Sequence, residues 1–243
     1  MSQIITPAGA DLLSIGKQAP RVGSLPLFYD DFRGGFLDGE KWSYGIVSSG
    51  SVTVSDSVPG VAGMPSGATL ASGATSGGQA YIATRSALIL PHYGQTALTT
   101  IIERTNIEWT AKAGGTWPTA AHNTVFFMGI AKAVGASGTR GDNDITGFYL
   151  ESDVLAALSD KGGTETTAAL TSAPAMTAVH KYRVALDRVN GYTFFVDDVL
   201  QATVATNVNN IYACYIVVIL RNDSAANVSL ALGNVRAWSE DLI

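Results

Sequence analysis

The chain has 243 residues, a formal net charge of −5, 14% charged residues, 47% apolar residues and one cysteine. A chain this long buries about 70% of its surface on folding; charge well below the ~25% of typical soluble domains excludes a disordered acidic chain or a coiled coil, and one cysteine excludes a disulfide scaffold. The 15 Lys and Arg are scattered and form no basic patch for a phosphate backbone, so nucleic acid is not an expected partner.

Residues 1–24 read as an N-terminal arm, with Pro7, Pro20, small residues and one apolar patch of Leu12, Leu13 and Ile15. No basic stretch leads into an apolar one there, so a secretory leader is not expected and the chain is expected to be made in a cytoplasm. Burying those three side chains contributes roughly 4 to 9 kcal/mol. Ordering about ten arm residues costs on the order of 10 kcal/mol of backbone entropy. The arm is therefore expected to dock on a neighbouring subunit with the help of backbone hydrogen bonds, as in strand addition to a sheet edge.

From residue 25 onward the pattern is strand and turn. The Gly-, Ser-, Ala- and Thr-rich segment 48–79 contains the alternating strings SVTVSDS and ATLAS, which predict short strands joined by long turns. Strands are predicted at LTTIIERTNIEW (98–109), TVFFMGIA (124–131), ITGFYLE (145–151) and VLAALS (154–159). In KYRVALDR (181–188), Tyr182, Val184 and Leu186 alternate with Lys181, Arg183 and Asp187, the mark of a half-buried strand. Asn190-Gly191 predicts a two-residue turn into YTFFVD, and Asp197-Asp198 a further turn into VLQATV.

The run IYACYIVVIL (211–220) is apolar on both faces, which predicts an inner strand covered on two sides with Cys214, Tyr212 and Val217 buried. Ten apolar residues are too few for a membrane helix, which needs about 20, and no membrane span is expected. In NVSLAL the alternation resumes, and Gly233-Asn234 is expected to break the strand before VRAW. Trp42 and Trp238 fall in strand patterns and are expected in the core. No window keeps a 3.6-residue period with caps. The prediction is an all-β fold, a two-sheet antiparallel jelly-roll sandwich over residues 25–243.

Four segments carry a family resemblance. FYDDFRGGFLDGEKWSYG (28–45) resembles the opening of concanavalin A-like lectin and glucanase jelly rolls, with its Asp-Phe pair, Leu-Asp and Lys-Trp. SGATSGGQAYIAT (72–84) is similar to the small-residue turn and strand that follow, YRVALDRVNGYTFFVDDVLQAT (182–203) to that superfamily's hairpin, and VSLALGNVRAW (228–238) to its closing strand. In its low charge and its lack of a leader the chain resembles versions found among tailed-bacteriophage virion proteins. The resemblance implies a concanavalin A-like jelly roll with an extended N-terminal arm. It further implies a non-enzymatic structural role in the virion, as capsid decoration, head-fibre or tail component, assembled in the host cytoplasm with other virion subunits as a homo-oligomer or symmetric assembly. The alternatives are lectin-like binding of a host-surface glycan and a divergent glycoside hydrolase.

Glucanases of this superfamily resemble one another in a strand motif of Glu, any residue, Asp and then a second Glu, the two Glu serving as nucleophile and acid/base about 5 Å apart. The nearest string, Glu151-Ser152-Asp153, lacks the second Glu and reads as a polar turn. Glu103 and Glu108 are an odd number of positions apart and so face opposite sides of a strand. No catalytic residue and no enzyme activity is expected. His92, His122 and His180 lie in separate turn regions without metal-ligand spacing. Asp142, Asp144, Thr146, Gly147 and Asp153 follow a calcium-loop spacing, but ITGFYLE alternates as a strand where an EF-hand needs a helix. That string and the tripeptide Arg140-Gly141-Asp142 read as solvated loop, and neither a metal nor a cofactor is expected. For sugar binding, a flat ring beside polar loops can stack on a sugar's apolar face. Trp117, with His122, His92 and Tyr93 as neighbours, is the candidate; subunit contact and loop packing are its other readings.

Overall fold

The computed structural model describes residues 24–56, 64, 66–89, 102–114, 124–133, 144–151, 154–187, 191–205, 213–224 and 226–242. The strands are β1 (Ser24–Asp30), β2 (Trp42–Val47), β3 (Ser51–Ser55), β4 (Gly67–Ala71), β5 (Gly78–Thr84), β6 (Leu88–Ile89), β7 (Ile102–Gly114) and β8 (Thr124–Ala131). They continue as β9 (Ile145–Glu151), β10 (Val154–Lys161), β11 (Thr164–Ala169), β12 (His180–Asp187), β13 (Gly191–Val196), β14 (Val199–Val204), β15 (Ala213–Asn222) and β16 (Ser229–Leu242). Sheet A has the order β14-β13-β12-β7-β16-β4-β3, with β1 also paired to β16. Sheet B has the order β11-β10-β9-β8-β15-β5-β2, with β6 also paired to β15. All these pairings are antiparallel. The two sheets pack face to face as the expected sandwich.

Period-two alternation puts one side of each strand between the sheets. Sheet B sends in Phe126, Met128, Ile216 and Val218, and sheet A sends in Ile107, Trp109, Leu230 and Leu232, all fully or almost fully buried. Phe148 meets the ring edges of Tyr182 and Phe194 at 5.2 and 5.4 Å, a geometry that suits aromatic quadrupoles. Strand β15 lies centrally in sheet B, as its two apolar faces predict: Cys214 and Ile216 point into the sandwich, while Val217 and Ile219 on the opposite face are only 2% and 3% exposed. Tyr212 lies outside the described residues.

Burial pushes the Cys214 thiol up to about 12, because a thiolate there would have no water around it. Native protein is expected to react with a thiol reagent only as fast as it unfolds, and denatured protein at once. Rapid labelling of folded protein at neutral pH, followed by mass spectrometry, would contradict the buried position.

The strands at 124–131 and 145–151 have the predicted bounds, and the turn at Asp197-Asp198 joins β13 to β14. Both turn residues have positive φ, 50° and 65°, the conformation of the tight hairpin turn whose twist matches the strands. Elsewhere the structure corrects the sequence reading. Asp187 already pairs with Gly191, so Gly191, at φ 89°, opens β13 instead of completing a two-residue turn, and Asn190 lies outside the described residues. Gly233-Asn234 does not break the last strand: β16 runs through it, and its register with β7 shifts there as a bulge. The arm with Leu12, Leu13 and Ile15 lies outside the described residues.

Candidate functional site

Trp117, His122, His92 and Tyr93 all lie outside the described residues. His180 opens β12, where its ring bonds Asp197 Oδ2 at 2.7 Å and the Ala175 carbonyl at 3.1 Å, bracing a hairpin. Burial works against charge on Asp197, yet hydrogen bonds from the Lys181 amide and the His180 ring outweigh it and hold this carboxyl below its usual range. Glu151 ends β9 and pairs with Val154 of β10, while Ser152 and Asp153 lie outside the described residues. Of the calcium-like string, Asp144 pairs with Lys132 at 3.1 Å, and Thr146 turns inward to share a hydrogen bond with Ser159.

The two tryptophans expected in the core part company. Trp42 is buried, its indole donating to Asp30 Oδ2 at 2.5 Å and its ring stacked on Phe32. Trp238 is only half-buried, on the outer face of sheet A. The bulge after Leu232 reverses the inside-outside phase of β16, so Val235 and Ala237 turn inward and Arg236, Trp238 and Glu240 turn outward.

That outer face is a polar lattice. Tyr29, Arg236, Glu108, Arg183 and Phe195 stand in one row across β1, β16, β7, β12 and β13. Arg236 donates through Nε and Nη2 to Glu108 Oε1, both at 2.8 Å, and stacks over Trp238, whose indole donates to Glu240 at 2.7 Å. Arg183 lies 3.9 Å above the Phe195 ring and donates to Asn106 Oδ1 at 3.1 Å; burial pulls its pKa down. The Glu108 carboxylate is held by Arg236, and this lattice braces a sheet.

The outer face of sheet B is different in kind. Across β9, β8 and β15, Tyr149, Phe127 and Ile219 form one row and Gly147, Gly129 and Val217 the next. Neighbouring backbone and the Phe127 ring leave no room for a Cβ on Gly129, and the Tyr81 ring leaves none on Gly45, so glycines here seat aromatic rings against the sheet. At one end of this apolar face an open cavity of about 340 Å³ is lined by Ser43, Thr84, Arg85, Lys132, Ala133 and Tyr215. Arg85 follows β5 and Lys132 follows β8. Their amides bond the carbonyls of Lys41 at 2.8 Å and Asp144 at 3.1 Å, which fixes both residues at the rim. Tyr215 packs partly buried against the apolar cluster and supplies a ring; the Ser43 hydroxyl donates to the Ala83 carbonyl at 3.2 Å, and the buried Thr84 hydroxyl accepts from the Ile216 amide at 3.1 Å. Sequence reasoning missed all six residues, because they lie on four strands or just beyond their ends and only the β8-β15-β5-β2 pairing brings them together.

No protein-family model matches the chain, and no curated protein matches it. Solved structures do. An endo-1,3-β-glucanase from Streptomyces sioyaensis aligns with TM-score 0.61 at 15% identity, over 93% of this chain and 99% of its own. The carbohydrate recognition domain of Emp47p aligns with TM-score 0.58 at 10% identity, over 97% and 100%. An endo-β-1,3-glucanase from Pyrococcus furiosus aligns with TM-score 0.55 at 10% identity, over 90% and 95%. The exclusion of an enzyme, drawn from the missing second Glu, is overturned by these neighbours, since glucanases share the whole architecture. At such identities the likeness is one of fold, and the fold of this chain is the concanavalin A-like jelly-roll sandwich.

Proposed function

We propose that this protein recognises glycans through the cavity on the outer face of sheet B. The observation that carries the reading is the make-up of that cavity: one aromatic ring, the Ser43 hydroxyl and two cationic side chains line about 340 Å³, room for one or two sugar units. A tyrosine ring offers the apolar face on which a pyranose stacks, and hydroxyl and guanidinium groups offer hydrogen bonds to its hydroxyls. The neighbours named above bind or cleave carbohydrate by their own descriptions, and they support this glycan reading over the virion role expected from the sequence.

Screening the protein on a glycan array and measuring the best ligand by calorimetry tests the reading. Tyr215→Ala is expected to weaken binding at least about tenfold, a loss of about 1.4 kcal/mol, whereas Tyr215→Phe keeps most of it because the ring remains. Thermal unfolding of each variant separates lost stacking from lost fold. Retention of no glycan, or wild-type affinity in a folded Tyr215→Ala protein, would overturn the proposal. A reducing-end assay on laminarin, run alongside, distinguishes a binder from a hydrolase.

A further inference from the structure

We infer, resting on the glycan reading above, that the cavity selects acidic sugars, with Arg85 as the residue that reads their anionic group. The charged side chains lining the cavity are both cations, Arg85 and Lys132. They differ in how their charge is compensated. Lys132 Nζ is 3.1 Å from Asp144 Oδ2, and Asp144 is itself fixed by the Gly162 amide at its other oxygen, so this ammonium is neutralised in place. Arg85 donates Nη1 to the Gly39 carbonyl at 2.6 Å, a neutral acceptor, and has no ion-pair partner among the described residues.

Asp30, Asp31 and Asp38 of the adjoining segment have their own cations. Lys41 Nζ lies 3.8 Å from Asp30 and 4.0 Å from Asp38, and Arg33 lies 2.7 Å from Asp31. The Arg85 guanidinium thus stands on the cavity wall with its orientation set by Gly39 and its charge unmatched among the described residues. A planar guanidinium matches a carboxylate or sulfate in a two-bond geometry that a neutral hydroxyl cannot reproduce. With the chain at −5 overall, long-range attraction of a polyanion is absent and selectivity must come from this local contact.

Calorimetry of the intact protein with three probes tests this: laminaritetraose as the neutral sugar, an oligoglucuronate of equal length as the carboxylate, and sulfated laminaritetraose as the sulfate. At least one acidic probe is expected to bind about tenfold or more tightly than the neutral one, with an advantage that shrinks as salt rises; which one it is identifies the anionic group. Arg85→Gln is expected to erase the advantage, weakening acidic binding about tenfold more than it weakens neutral binding, and Lys132→Gln to reduce it less, because Asp144 already compensates that charge. Equal affinity for neutral and acidic probes, or an undiminished acidic preference in Arg85→Gln, would overturn the inference and leave the glycan reading standing. Absence of binding to all three probes, together with an empty glycan array, would overturn both.

Discussion

Replacing Arg236 with methionine is expected to cost about 3 to 5 kcal/mol, because it leaves a buried carboxylate without its counter-charge. The Glu108 side chain is 3% exposed, and both Arg236 contacts fall on Oε1 at 2.8 Å. Arg183 faces Glu108 from the other side in register, but its guanidinium is engaged by Asn106 at 3.1 Å and stands 3.8 Å from Asp198, so it cannot take over without giving up those bonds. Urea unfolding should show a lower midpoint with an unchanged slope. The double variant Glu108→Met with Arg236→Met removes the orphaned charge along with its partner and is expected to recover most of the loss. A single Arg236→Met change costing under about 1 kcal/mol would show that water or another cation reaches Glu108.

Asp30→Ala is expected to cost about as much, roughly 3 to 5 kcal/mol, as two hydrogen bonds to a charged acceptor vanish at about 1.5 to 3 kcal/mol each. Asp30 is 6% exposed; its Oδ2 accepts from the Trp42 indole at 2.5 Å and its Oδ1 from the Phe32 amide at 2.9 Å. The second bond holds Phe32 at φ 55°, a left-handed conformation that a large side chain adopts only when its surroundings impose it. Stacking of Phe32 on Trp42 at 5.6 Å therefore depends on the same carboxylate. Asp30→Asn keeps one acceptor oxygen and should cost less than half as much. Denaturant melts followed by tryptophan fluorescence would report both the lost stability and the changed surroundings of Trp42. An Asp30→Ala protein as stable as wild type would show that the Asp and Trp of this opening segment are not structurally linked.

That pair explains why the opening segment was legible as a jelly-roll signature. Asp30 and Trp42 stand at the end of one strand and the start of another, on different sheets, and the carboxylate-indole bond ties the sheets where the chain first crosses between them. The candidate site was far less legible. Trp117 and the histidines were chosen from sequence because an aromatic in a polar loop is visible as a local string, whereas Ser43, Arg85, Lys132 and Tyr215 form no string at all. Nor could sequence show that Lys132 meets a carboxylate and Arg85 a neutral carbonyl, since only the fold brings Asp144 and Gly39 to them.

What the sequence by itself determined is what neighbouring residues decide among themselves. Alternation along ITGFYLE and KYRVALDR made strands with one face inward, a run apolar on both faces made β15 a central strand, and paired aspartates with positive φ made a hairpin turn. The tertiary structure alone decided which strands became neighbours and which way their outer side chains face. Trp238 shows the physical reason: one extra residue opposite β7 at Gly233 reverses the phase of everything after it. An apolar side chain expected in the core thereby joins a polar lattice on the surface, and local sequence carries no record of the partner strand against which that residue is extra.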